Sequence, residues 1–132
     1  MTVFVDTSAF YAVFDRDDAN DAAAAKAWTK LLQDSTTLLT SNYVLLETMA
    51  LLQHRLGLAA ARRFHEDVLP VLDVEWVGET THRAGAAAVM AAARKKLSLV
   101  DCVSFETMRK AEVHDVFCFD AHLREQGFAV RP

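Results

Sequence analysis

Val3-Phe4-Val5-Asp6-Thr7-Ser8-Ala9 reads as a short buried strand that ends on a carboxylate and runs at once into a helix. Residues 3–5 form the strand; Thr7 and Ser8 can cap the helix that carries Phe10, Tyr11, Val13 and Phe14. A carboxylate at the end of a buried strand is costly unless something pairs with it. Three more acids stand tight against apolar runs. Glu47 follows Tyr43-Val44-Leu45-Leu46, Asp101 follows Leu97-Ser98-Leu99-Val100, and Asp120 follows Val116-Phe117-Cys118-Phe119. Four acids in such settings predict a cluster that holds a divalent metal.

Outward from that first strand, Asp15 to Asp18 is a polar break, and Asn20 caps an Ala-rich helix through about Gln33. Thr36–Thr40 reads as the next strand. Asn42 caps a helix from Tyr43 to about Leu56, where Gly57 suits the stop. Leu58–Leu69 is a further amphipathic helix ended by Pro70, and Val71–Val77 a strand. Glu79–Lys96 is a long helix with Arg94, Lys95 and Lys96 in its last turn, where they suit the helix dipole. Ser98–Ala111 is a helix with Asp101 in its first turn. Asp115–Phe119 is a strand, Ala121–Gln126 a short helix stopped by Gly127, and Phe128–Val130 a last small strand. Strands alternating with helices predict a single α/β domain over residues 1–132, with a mostly parallel central sheet of four to five strands flanked by helices. Ligands in such sheets bind outside the carboxyl ends of the strands, where Asp6 and Asp120 fall.

Composition bounds the function classes. With 132 residues, 52% hydrophobic and 24% charged, the chain is globular and has one sizeable core. No apolar run approaches the roughly 18 residues of a membrane span. The N-terminus carries no basic segment or cleavage site of a signal peptide, so a cytoplasmic location is expected. Cys102 and Cys118 each sit in an apolar stretch and read as buried free thiols of a reducing compartment. The net charge of -4 argues mildly against nucleic acid as a partner. That argument weakens if four acids are sequestered on a metal.

A hard cation such as Mg²⁺ or Mn²⁺ wants oxygen ligands, and carboxylates from separate elements provide them. Bound there, it can activate a water and neutralise charge on a scissile phosphate, so phosphodiester hydrolysis needs no nucleophilic side chain. Each acid has a structural alternative. Asp6 could bond helix amides; Glu47 could rotate to solvent; Asp101 could be a first-turn acid favoured by the dipole; Asp120 could cap the helix at Ala121. Glycine-rich nucleotide-binding motifs and HExxH are absent. Among the five histidines, His122 stands apart because it lies two residues past Asp120, where it is read as packing.

These stretches carry a resemblance. Val3 to Ala9, Thr40-Ser41-Asn42-Tyr43-Val44-Leu45-Leu46-Glu47-Thr48, Leu97 to Phe105, and Phe119-Asp120-Ala121-His122-Leu123 with Gly127-Phe128 resemble, in order, the four motifs of a PIN domain. By length and motif wording the chain is similar to the compact prokaryotic type, the VapC-type toxins of toxin–antitoxin pairs. The resemblance implies a metal-dependent endoribonuclease acting on structured RNA, a homodimer, and a cognate antitoxin that blocks the site. Matched by position, Asp6, Glu47, Asp101 and Asp120 form the acidic quartet for Mg²⁺ or Mn²⁺. Thr7 matches a helper hydroxyl, and Ser104, one turn after Asp101, could serve likewise or be an exposed or capping residue. Leu123 stands where the family often has an aromatic residue. Arg16, Lys95, Lys96, Arg109 and Arg124 could touch phosphates if they flank the acids. Affinity from such contacts would fall with salt, and a single-stranded loop would best reach a recessed metal.

Two rival functions stay open at this point. An Asp-nucleophile phosphotransferase also uses an acid after its first strand, but wants a second Asp where Ser8 stands. A non-catalytic module could bind metal, RNA or a basic peptide through the same acids.

Overall fold

In the computed structural model, which describes residues 1–132, β1 (Thr2–Val5) is the middle strand of the sheet. Its Val3, Phe4 and Val5 are fully buried. An unbroken apolar run is what a parallel strand covered on both faces requires. β1 pairs with β2 (Thr37–Ser41) on one side and β4 (Asp115–Phe117) on the other, so that Phe4 stands opposite both Leu39 and Val116. β3 (Asp73–Glu75) extends the sheet past β2, and β5 (Ala129–Arg131) extends it past β4. The order is β3-β2-β1-β4-β5 and every pair is parallel.

Parallel neighbours need crossovers, and helices supply them. They are α1 (Thr7–Phe14), α2 (Asp21–Gln33), α3 (Asn42–Leu56), α4 (Leu58–Arg63), α5 (Glu79–Ala92), α6 (Leu99–Lys110) and α7 (Ala121–Glu125). The chain winds outward from β1 through β2 to β3, then returns to the far side of β1 for β4 and β5. That reversal opens a crevice at the carboxyl ends of β1 and β4, the usual ligand position in open α/β sheets. Beneath it, Phe10 packs edge-on against Phe64 at 5.0 Å and against Trp28 at 6.2 Å. Helices α5 and α6 approach so closely that a β carbon at Gly85 would lie 2.5 Å from Val103 Cγ2. No helix is long and apolar enough to cross a membrane.

The predicted α/β class and strand count hold, with the sheet parallel throughout. Several boundaries move. Asp6, not Thr7 or Ser8, caps α1, and Ser41, not Asn42, caps α3. The Asn42 side chain instead accepts from the Val77 amide at 2.6 Å, and Asn20 makes no side-chain cap on α2. The helix expected through Leu69 is α-helical only to Arg63, then widens to a π turn over Phe64–Val68 and tightens to a 3-10 turn over Leu69–Val71 around Pro70. Helix α5 stops at Ala92 on a left-handed Ala93, so Arg94, Lys95 and Lys96 lie past its end. The cause is local: Leu97 must be buried and Ser98 must cap α6, which leaves the intervening residues to turn. Strand β4 ends at Phe117 because the Phe119 amide is taken by the Ser8 hydroxyl instead of a neighbouring strand.

Candidate active site

Asp6, Asp101 and Asp120 all sit at the N-termini of helices. Asp6 is the N-cap of α1: its Oδ2 accepts from the Ser8 amide at 3.2 Å and the Ser8 hydroxyl at 2.7 Å. Asp101 closes a capping box on α6: its Oδ2 accepts from the Ser98 amide at 3.0 Å, while Ser98 Oγ accepts from the Asp101 amide at 3.1 Å. Asp120 is the N-cap of α7, with Oδ1 accepting from the His122 amide at 2.9 Å. Helix termini supply unpaired N–H groups and a positive dipole end, so they hold carboxylates in fixed orientations. Each acid spends one oxygen this way. Asp6 Oδ1, Asp101 Oδ1 and Asp120 Oδ2 have no hydrogen-bond partner in the protein. The capping roles weighed against a metal site are therefore real, and they leave half of each carboxylate free.

The charge is uncompensated. No Lys or Arg pairs with any of the three. Burial pushes the Asp6 carboxyl up from 3.8 to about 6, against the opposing Ser8 hydrogen bonds and helped by the charges of Asp101 and Asp120. Burial, and then the charge of Asp120, likewise raises Asp101, while the Ser98 amide works the other way. Ligand atoms of Asp101, Asp120 and His122 all lie within 4.8 Å of one another. Anionic oxygens gathered without a cation of the chain's own fit a hard divalent ion.

The remaining predicted residues fall as follows. Glu47 is half-buried on α3, makes no side-chain hydrogen bond or ion pair, and, like Asp6, lies outside the tight Asp101–Asp120–His122 group. Its neighbour Thr48 is fully buried and donates to the Thr7 hydroxyl at 3.4 Å, which ties this turn of α3 to the start of α1. Thr7 thus meets Thr48, and the hydroxyl on Asp6 is that of Ser8. Ser104 is neither exposed nor capping: it is fully buried and its Oγ has no partner. Arg109 lies over the Phe105 and Phe128 rings and donates to Gln126. Arg16 lines a different cleft, with Trp28 and Arg63. Arg124 lines a cleft of about 270 Å³ beside Phe119 and Asp120.

Two site residues carry more than their sequence reading gave them. Ser8 donates to Asp6 and accepts from the Phe119 amide at 2.9 Å, so one hydroxyl links the ends of β1 and β4. Its signal was available, because the residue two past an N-cap acid is where that cap bonds. His122, singled out in the sequence for lying two residues past Asp120, brings a ring nitrogen within 4.8 Å of ligand oxygens of Asp101 and Asp120.

The PIN domain family model matches residues 3–129. The chain is 32% identical over 132 residues to the 23S rRNA-specific endonuclease VapC20 of Mycobacterium tuberculosis, covering 98% of both sequences. The crystal structure of VapC20, described as a Sarcin-Ricin loop cleaving toxin, matches with a TM-score of 0.86 at 31% identity, over 98% of this chain and 99% of that one. FitAcB from Neisseria gonorrhoeae matches with a TM-score of 0.71 at 13% identity, over 100% of this chain and 97% of that one. VapBC2 from Rickettsia felis, bound to a DNA fragment from their promoter, also gives 0.71, at 8% identity and over 99% and 98% of the two chains. These last two share the fold.

Proposed function

Because the chain belongs to the PIN domain family, we propose that it is a metal-dependent endoribonuclease and the toxin of a toxin–antitoxin pair, acting in the cytoplasm. The observation that carries this reading is the set of three helix-capping carboxylates, each with one oxygen fixed and one free. Asp6, Asp101 and Asp120 hold Mg²⁺ or Mn²⁺, one ion or two, and Glu47 completes the set from α3. When bound, the ion supplies a Lewis acid that lowers the pKa of water and offsets charge on the phosphate.

The chain's own residues do the positioning. Ser8 fixes the Asp6 carboxylate and the start of the Asp120 turn together, so the two acids keep their separation. Ser98 fixes Asp101 through both halves of its capping box. Geometry set by short bonds to helix ends costs no rearrangement when substrate arrives. Arg124 lines the same cleft as Asp120, and a phosphate bound there would meet its charge.

The substrate we assign is ribosomal RNA, since the relative at 32% identity is named for 23S rRNA. A single-stranded loop presents a splayed backbone to a recessed site better than a duplex does. The toxin reading implies an antitoxin that covers the site and a homodimer. Two buried free thiols suit a reducing compartment. Failure to trap a phospho-aspartate at Asp6 removes the Asp-nucleophile phosphotransferase, and one further experiment separates cleavage from a metal- or RNA-binding module. Purified protein is incubated with 23S rRNA and with its isolated sarcin-ricin stem-loop, in Mg²⁺, in Mn²⁺ and in EDTA, beside Asp6→Asn. Cleavage only by the unaltered protein with metal is expected. Cleavage that survives EDTA or the substitution would overturn the metal mechanism, and retention of RNA without cleavage would favour the binding module.

A further inference from the structure

His122 occupies an unusual position for a residue that only fills space. Its side chain is 15% exposed, and its Nε2 lies 3.8 Å from Asp120 Oδ1. Its Nδ1 is buried, lacks a hydrogen-bond partner, and faces Glu125 Oε2 at 3.8 Å. Glu125 is itself held by Arg94 at 3.1 Å, from the turn that follows α5. The two ring nitrogens therefore have different surroundings. One points along the carboxylate–guanidinium pair, and the other toward the Asp120 carboxylate, within the group whose ligand atoms lie inside 4.8 Å of one another. Metal-bound histidines commonly have this division, with one nitrogen on the ion and the other N–H directed at a carboxylate that fixes tautomer and ring orientation.

We infer that His122 is a nitrogen ligand of the metal centre, joined to Asp101 and Asp120 through Nε2, with Glu125 as the positioning residue behind Nδ1. The inference rests on the metal-dependent reading above and adds to it a donor of a different kind. Imidazole suits first-row transition ions best from Fe²⁺ onward, and Mn²⁺, the hardest of that row, still accepts it more readily than Mg²⁺, which keeps to oxygen and water. A site of carboxylates alone has no such bias beyond the general order of affinities. His122 thus tilts the centre toward Mn²⁺ over Mg²⁺.

The test uses Mn²⁺ itself as the probe, on the full chain, with RNA omitted. Electron spin echo envelope modulation of the Mn²⁺-loaded protein is expected to show coupling to a ¹⁴N nucleus. His122→Ala is expected to abolish that coupling while Mn²⁺ remains bound, and to weaken Mn²⁺ by about tenfold or more while Mg²⁺, read by competition, changes little. Thermal unfolding in EDTA checks that the variant folds; His122→Gln, of more similar size, serves if the alanine variant does not. Bound Mn²⁺ without ¹⁴N coupling overturns the inference and leaves the metal reading standing. Coupling that persists without His122 also overturns it, since His54, His65, His82 or His114 would then be the source. No binding of Mn²⁺ at all overturns both.

Discussion

Asp6→Asn is expected to make the metal-free protein more stable while it removes the proposed activity. In the folded chain the Asp6 carboxyl is pushed from 3.8 to about 6, first by burial and then by the charges of Asp101 and Asp120, with the two Ser8 hydrogen bonds pulling the other way. An unfolded chain loses this proton near pH 4, whereas the folded one keeps it until near pH 6. Between those values the native state binds more protons than the unfolded state, so stability falls as pH rises through the window. Above it the ionised carboxylate costs the fold about 3 kcal/mol, the free-energy equivalent of the difference between the two proton affinities. Asn stands for the neutral acid: its side-chain carbonyl still accepts from Ser8, and it carries no charge toward Asp101 or Asp120. Urea denaturation in EDTA at several pH values from 4.5 to 8 reads the effect. The unaltered protein should lose about 2 kcal/mol relative to the variant between pH 4.5 and 8, about 1 kcal/mol of the full effect being already present at the acid end. Mn²⁺ should then restore the unaltered protein preferentially, because only it keeps the full ligand set. Stability curves that run parallel over the whole range would refute the reasoning, as would a variant that is less stable at pH 7.5.

Gly85→Ala should destabilise the fold by about 1–3 kcal/mol, read as a lower urea midpoint, because the new methyl would lie 2.5 Å from Val103 Cγ2 on the helix that carries Asp101; an unchanged or higher midpoint would mean that α5 and α6 separate freely. Ser8→Ala removes the donor on Asp6 and the acceptor of the Phe119 amide, which should cost about 2 kcal/mol in denaturation and lower cleavage with metal present. Ser8→Thr should recover part of both, and an alanine variant with full activity would show that the link between the strand ends is dispensable. Burial pushes the Cys118 thiol up to about 12 and raises Cys102 as well, so a disulfide reagent at pH 8 should label neither thiol in the native protein and both in urea. Rapid labelling of the native chain would contradict the burial of these residues.

Most of the fold is legible at the strand ends. Val3-Phe4-Val5 and Val116-Phe117-Cys118 are unbroken apolar runs that only a doubly covered sheet can bury, and the acids after them mark the carboxyl edge. Asp101 is legible too, since Ser98 three residues earlier writes a capping signal into the sequence. Element boundaries are less so where tertiary contacts compete. Helix α5 gives up Arg94 to Lys96 to the burial of Leu97, and Phe119 leaves its strand for Ser8. Glu47 marks another kind of limit. The face a helical residue presents depends on rotation against neighbours, so its place relative to acids many residues away has no local sequence signal.

The strand order has a consequence for the timing of synthesis. β1 precedes its second neighbour β4, which comes only after residue 114, and Asp6 meets Asp101 and Asp120 only once the residues through Asp120 exist. A growing polypeptide holds Asp6 and Glu47 for most of translation without the rest of the constellation. Chains lengthen at roughly 5–20 residues per second, so the interval in which the acids are not yet together lasts for seconds. On the proposed reading, a chain aimed at ribosomal RNA would thereby lack its full set of acids until the residues through Asp120 had been made.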